Sequence, residues 1–308
     1  MNKVHVIVNP CSARGRTAKH WELIKEAIRS HFREFKYVFT EKPRQATEIA
    51  RELLRDGFDL LIGVGGDGTL NEISCGFFNA GSDRAINQEA AVGIIPSGTG
   101  SDFIRFMRVP REFERSAARI KNSPSRRIDI GKITYGRAGG ASRVQYFVNV
   151  ADFGLGAEVI RNLSRVQTAR RGAFTYYRGL LSTLMSYRNK KVHMTLDDGR
   201  HLEGEYLIGA VANGRIFGGG MIIAPQAEPD DGFFDLVLVE AMKKLEIVAS
   251  SRLLYSGTIA SHPKVRILKT RKIHVDSPDP VHIEYDGEVG ESLPAEFSIV
   301  ERALNLRT

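Results

Sequence analysis

Three segments of this chain combine glycine, hydroxyl and acidic residues in a way suited to holding phosphate. The sharpest is LLIGVGGDGTLNEI at 60–73, where an apolar run gives way to Gly65-Gly66-Asp67-Gly68-Thr69 and then to helix-forming residues. Glycines let backbone N–H groups approach an anion closely, and a helix N-terminus adds unpaired donors and a favourable dipole. The Asp67 carboxylate would repel a bare phosphate, so an acid in such a loop points to a divalent cation such as Mg²⁺. The plain structural alternative is a glycine turn whose Asp caps the helix that follows. Two further segments have the same character: Asn9-Pro10-Cys11-Ser12-Ala13-Arg14-Gly15, and Pro96-Ser97-Gly98-Thr99-Gly100-Ser101-Asp102-Phe103. Either alone would be an ordinary turn.

What gathers them is the order of elements around them. Val4 to Val8, Tyr37 to Thr40, Asp59 to Val64 and Ala91 to Ile95 read as strands. Thr17 to Phe32, Gln45 to Leu54 and Thr69 to Phe78 read as helices between them. Strands alternating with helices predict βαβ units and a parallel, Rossmann-like sheet, with ligands at the carboxyl ends of the strands. All three loops follow strands, so they fall on one edge of that sheet.

Past Arg126-Arg127 the texture changes to β-formers. Strands are predicted at Ile128 to Tyr135, Val144 to Val150, Lys191 to Leu196, Tyr206 to Ala212, Phe233 to Val239, Val265 to Leu268, Lys272 to Val275 and Val281 to Tyr285. Asp197-Asp198-Gly199 is a strong hairpin turn. A helical block near 155–188 and a shorter one near 242–256 interrupt the series. The expected fold is an α/β N-terminal domain over 1–129 and a mostly antiparallel β domain over 130–295, the tail 296–308 returning to the first.

The chain has 308 residues, 42% hydrophobic and 26% charged, with formal net charge +8. That length allows two cores, and the absence of any run of about 20 apolar residues argues against a membrane-spanning helix. The opening residues lack a secretory signal, and Cys11 and Cys75 offer neither a disulfide framework nor metal-ligand spacing, so a cytoplasmic, reducing setting is expected. The basic balance favours anionic partners. It is concentrated between Glu158 and Asp197, where Arg161, Arg165, Arg170, Arg171, Arg178, Arg188, Lys190 and Lys191 meet no acid. With Phe174, Tyr177, Leu181 and Leu184 at helical spacing, this block reads as an amphipathic helix at an anionic membrane surface, or as a core-facing helix with a solvated basic face.

The ordered set of motifs resembles the diacylglycerol-kinase catalytic family of bacterial lipid kinases, the YegS-like group. GGDGTLNE at 65–72 matches at every position, PSGTGSDF at 96–103 departs at Ser101, where Asn is usual, and NPCSARG at 9–15 carries Ala13 where Gly is usual. Arg127-Ile128-Asp129-Ile130-Gly131, Asn213-Gly214, Gly218-Gly219-Gly220, Ala224-Pro225, Asp230-Asp231-Gly232 and Asp286-Gly287-Glu288 follow in the family's order. The resemblance implies an ATP-dependent lipid kinase, peripheral on the membrane, with a lipid substrate and a homodimer among its partners. ATP would contact Asn9, Pro10, Cys11, Ser12, Ala13, Thr40, Gly65, Gly66, Asp67, Gly68, Thr69, Leu70, Asn71 and Thr99. Asp67 and Asp102 would sit near the transferred phosphoryl group and its Mg²⁺, with Glu288 as general base. A second, structural Mg²⁺ would take the Asp231 carboxylate, the carbonyls of Glu228 and Phe233, and Asp129 through water.

Two other readings start from the same residues. NAD kinases share the GGDG loop, although the second-domain motifs fit the lipid kinase better. A non-catalytic nucleotide-binding protein could use the same fold, but it would have no need of Asp67, Asp102 and Glu288. No nucleic-acid-binding module is recognisable, so nucleic acid is not an expected partner.

Overall fold

The computed structural model describes residues 3–99, 101–136, 143–165 and 182–308, and the chain divides into two compact units. One comprises Met1–Asp129 with Glu301–Thr308, the other Ile130–Val300.

The first unit runs β1 (Val4–Val8), α1 (Ser12–Lys19), α2 (Trp21–Arg29), β2 (Lys36–Phe39), α3 (Gln45–Arg55), β3 (Leu60–Gly65), α4 (Asp67–Gly76), β4 (Ala91–Pro96), α5 (Asp102–Phe106) and α6 (Phe113–Asn122). All its strand pairs are parallel, in the order β2-β1-β3-β4. Every residue of β1, β3 and β4 is buried, which is why they read as near-continuous apolar runs, with His5 the polar exception in β1, and not as alternating ones. Trp21, Ile24, Ala27 and Ile28 form the buried stripe of α2, and Ala46, Ala50 and Leu54 that of α3.

The predicted helix Thr17 to Phe32 is two helices meeting at His20, and within the first, Ser12–Lys19, residues Ala13 to Gly15 leave helical backbone, so its regular part begins at Arg16. The predicted helix from Thr69 begins two residues sooner, so Asp67 lies in its first turn. Short α5 and α6 were not legible as periodic segments.

The second unit is antiparallel throughout its named pairs. Its elements are β5 (Arg126–Tyr135), which enters from the first unit, β6 (Arg143–Phe147), β7 (Val150–Gly154), α7 (Leu155–Arg165), β8 (Lys190–Leu196), β9 (His201–Ala212), β10 (Ile216–Phe217), β11 (Met221–Ile222), β12 (Phe234–Glu240), α8 (Lys244–Ser256), β13 (Val265–Thr270), β14 (Lys272–Asp276), β15 (His282–Tyr285), β16 (Glu288–Ser292) and β17 (Ala295–Arg307). Long β9 pairs with β8 along its first half and β7 along its second, and its other edge holds β12. The predicted strand Val144 to Val150 is two strands, β6 and β7, divided at Val148-Asn149. Residues Ala295–Ser298 of β17 pair with β14, and its last residues, Asn305–Arg307, run parallel to β4. Of the predicted helical block 155–188, α7 and residues 182–186 are helical. Arg170, Arg171, Phe174, Tyr177, Arg178 and Leu181 lie outside the described residues.

Candidate active site

Because β1, β3 and β4 are parallel neighbours, their carboxyl ends deliver the three loops side by side, and side chains then tie them together. The amides of Ser97 and Gly98 donate to the Gly65 carbonyl at 2.8 and 3.1 Å. Asn9 Nδ2 donates to Thr69 Oγ1 at 3.2 Å, and the Asn9 amide to the Val64 carbonyl at 3.0 Å. Fully buried Thr17 lies 2.7 Å from Ser97 Oγ and also bonds Ser12 Oγ. Thr40 closes the group by donating its amide to Val8 at 2.9 Å. Expected nucleotide contacts from all three loops and from Thr40 therefore occupy one corner of the first unit. Thr17 and Ser97 belong to that corner but carried no separate signal in the sequence.

Gly65 is required by the close approach of the following helix: a Cβ there would lie 2.2 Å from Thr69 Oγ1. Beside Gly68 a Cβ would meet open space, so the amides at the start of α4 are approachable. Ala13 and Arg14 hold left-handed backbone at φ 49° and 60°, ahead of Gly15 at φ 80°. An L-residue in that region costs roughly 1–2 kcal/mol, a cost that glycine would avoid at position 13.

Asp67 does cap a helix, but not the one it begins. Its Oδ2 accepts the amides of Asp102 and Phe103, and its Oδ1 that of Ile104, so it closes the N-terminus of α5 from 35 residues away. Burial raises its carboxyl to about 6 despite the three amide donors, and the charge of Asp102 adds to the rise. Asp102 is itself buried. Two crowded carboxylates at a phosphate-type loop are an arrangement that a hard cation relieves.

In the second unit Glu288 is the exposed first residue of β16. The turn before it is firmly held. Asp286 accepts the amides of Val148, Asn149 and Val150 at 2.7, 3.0 and 3.1 Å, and Asp286 and Gly287 both have left-handed backbone. Beneath the turn, buried Glu284 accepts the Gly287 amide and faces Asp152 across the β15–β7 pairing. Burial raises Asp152 to about 6 and Glu284 well above the usual carboxylate range, as expected of two acids sharing a dry site. Sequence reasoning missed this pair. Its only signal was acidic residues inside the apolar runs VADFG and HIEY.

The residues expected around a second-domain metal have other partners. Asp231 accepts the Phe233 amide at 3.0 Å through Oδ1 and the Lys269 ammonium at 2.6 Å through Oδ2. The Glu228 side chain pairs with Arg215, a contact that does not involve the carbonyl expected on the metal. Asp129, fully buried, accepts the Arg302 amide at 2.7 Å within the first unit. Among the described residues no group of three or more His, Cys, Asp or Glu could hold a metal ion.

Residues 3–133 match the family described as "Diacylglycerol kinase catalytic domain". Residues 149–308, just over half of the chain, match the "YegS C-terminal NAD kinase beta sandwich-like domain". A diacylglycerol kinase of Staphylococcus aureus is 30% identical over 268 residues, 87% of this chain and 80% of that one. The chain belongs to the diacylglycerol kinase family. The Bacillus subtilis diacylglycerol kinase is 28% identical over 307 residues, 99% of this chain and 96% of its own. A crystal structure described as "a putative diacylglycerol kinase from Bacillus anthracis str. Sterne" superposes with TM-score 0.80 at 25% identity, covering 99% and 95% of the two chains. Yeast NADH kinase, at TM-score 0.53 and 13% identity over 99% of this chain and 82% of that one, shares the fold alone. Family membership makes the chain a phosphotransferase of the lipid-kinase class, and it agrees with the order of motifs from Asn9 to Glu288.

Proposed function

We propose that this diacylglycerol kinase family member transfers the γ-phosphoryl group of ATP to the hydroxyl of diacylglycerol or a related lipid. The observation that carries the proposal is the corner of the first unit where three cross-bonded strand-end loops surround Asp67 and Asp102. Backbone amides at the start of α4, with Asn9 to Ala13, Thr40, Gly65 to Asn71 and Thr99, hold the phosphates. Asp67 and Asp102 suit a Mg²⁺ ion, which when bound neutralises phosphate charge as the phosphoryl group transfers. Glu288 accepts the proton of the lipid hydroxyl as its oxygen bonds to the γ-phosphorus, and the bond from that phosphorus to the bridging oxygen breaks to release ADP. The anchored Asp286-Gly287 turn fixes where Glu288 emerges.

A lipid acceptor calls for a surface that meets lipid, and α8 supplies features that support one. Its outward positions carry Leu245 (86% exposed), Val248, Arg252 and Lys244, with Lys243 beside them and Met185 (68% exposed) nearby. Exposed apolar residues among cations suit an anionic headgroup layer. Within the basic block, Arg161 pairs with Glu158 and Lys191 with Glu203, so those two charges are spent inside the molecule. Among the described residues no helix is long and apolar enough to cross a membrane.

The test is ADP release with a short-chain diacylglycerol by wild type and Glu288→Gln. The variant keeps side-chain size at an exposed position, so it folds normally and loses a factor of ~10²–10⁴ in turnover. Unchanged turnover removes Glu288 from the reaction.

A further inference from the structure

The antiparallel register of β12 and β13 sets Lys269 directly opposite Asp235. Asp235 is buried, and a buried carboxylate needs a counter-charge. Lys269 supplies it at 2.7 Å, and the same ammonium reaches Asp231 Oδ2 at 2.6 Å. Asp231 spends its other oxygen on the Phe233 amide.

Chains of this kind are expected to hold a divalent cation at the 228–233 turn, and the residues here do not fit it. Mg²⁺ sits about 2 Å from its oxygen ligands, and at Asp231 Oδ2 it would crowd an ammonium already in hydrogen-bonding contact. Two cations at that separation repel, and the third group of the cluster, Asp235, is buried, which strengthens its hold on the ammonium already there. We infer that Lys269 is the resident cation of this turn, and that the second unit is held by an internal ammonium in place of a divalent metal. The cation is then part of the chain, and its occupancy does not follow Mg²⁺ concentration.

The experiment uses the full chain without nucleotide. Wild type, Asp231→Asn, Lys269→Arg and Lys269→Met are melted in EDTA and in excess Mg²⁺. Wild type and Asp231→Asn should respond to Mg²⁺ alike, any common response arising elsewhere. Lys269→Met should melt on the order of 5 °C lower in EDTA and recover part of that loss in Mg²⁺, because two carboxylates then lack a cation. Lys269→Arg should melt close to wild type. A Mg²⁺ stabilisation of wild type that disappears in Asp231→Asn would overturn the inference. If Lys269→Met does not fold, Mn²⁺ titration followed by electron paramagnetic resonance decides between the two remaining cases. Equal numbers of sites in wild type and Asp231→Asn support the internal cation, and one fewer in Asp231→Asn refutes it.

Discussion

Replacing Asp67 by Asn separates what this carboxylate does for the fold from what it does for chemistry. In the folded chain its carboxyl is raised from 3.8 to about 6, chiefly by burial. At about 1.4 kcal/mol per pKa unit, the folded state holds that proton more tightly than the unfolded chain by about 3 kcal/mol. A group raised in this way contributes stability at low pH that is lost as pH rises through the folded value. Wild type should therefore lose about 2.4 kcal/mol relative to Asp67→Asn between pH 4 and pH 7.5, because pH 4 already lies just above the unfolded value of 3.8. Against this, Asn offers one oxygen where Asp offers two to the amides of Asp102, Phe103 and Ile104. Weakening one or two such bonds costs roughly 0.5–1.5 kcal/mol each while the carboxyl is protonated, so the variant is the less stable at pH 4 and gains on wild type as pH rises to 7.5. Urea unfolding of both proteins across this range, without nucleotide or Mg²⁺, measures the difference. A stability difference that stays flat, or that moves in favour of wild type as pH rises, refutes the reasoning. Turnover at pH 7.5 should fall more than tenfold although the fold is retained, a barrier increase above about 1.4 kcal/mol.

Gly65→Ala would drive a Cβ to within 2.2 Å of Thr69 Oγ1, and the resulting shift of α4 should cost 1–3 kcal/mol and at least tenfold in ATP affinity. Calorimetric titration with ATP checks this, and undiminished affinity would show that the loop does not hold the nucleotide. Glu284→Gln keeps a neutral group beside Asp152, whose carboxyl is raised to about 6. Both acids are raised, so wild type should lose thermal stability as pH climbs through 6 and beyond, while the variant should decline less. Parallel melting curves from pH 5 to 9 would rule out a raised acid pair at this site. Charging the outer face of α8 with Leu245→Glu and Val248→Glu should weaken co-sedimentation with phosphatidylglycerol vesicles at least tenfold and spare turnover on a soluble short-chain substrate. Unaltered sedimentation would move the lipid-facing surface elsewhere.

Much of the first unit was legible because its determinants are local. Leu60 to Gly65 is buried on both faces and therefore written as a continuous apolar run, and a turn built from Gly65, Gly66 and Gly68 is visible wherever it occurs. The alternation of strands and helices was enough to put the loops after β1, β3 and β4 on one edge. What stayed hidden depends on partners distant in the chain. The capping of α5 by Asp67 spans 35 residues, and α5 itself, five residues long, has too few turns to show a period. The left-handed backbone of Ala13 and Arg14 contradicts residue preference, so composition could not announce it. In the second unit the strands were legible but their registers were not. Asp152 meets Glu284 only because β7 pairs with β15, and Lys269 meets Asp235 only because β12 pairs with β13. A reading residue by residue sees acids in apolar runs and a lysine in a strand, and cannot tell that each has a partner waiting.

The central claim is transfer of a nucleotide phosphate to a lipid hydroxyl, and following the phosphate itself tests it most directly. ATP labelled at the γ-position is incubated with the protein, Mg²⁺, mixed micelles of diacylglycerol and an equal amount of NAD, and the products are separated by organic extraction. Label is expected in the organic phase as phosphatidic acid, absent when diacylglycerol is omitted and reduced by a factor of ~10²–10⁴ in Glu288→Gln. Label recovered in NADP, or no transfer to diacylglycerol or any other lipid alcohol supplied in its place, would contradict it.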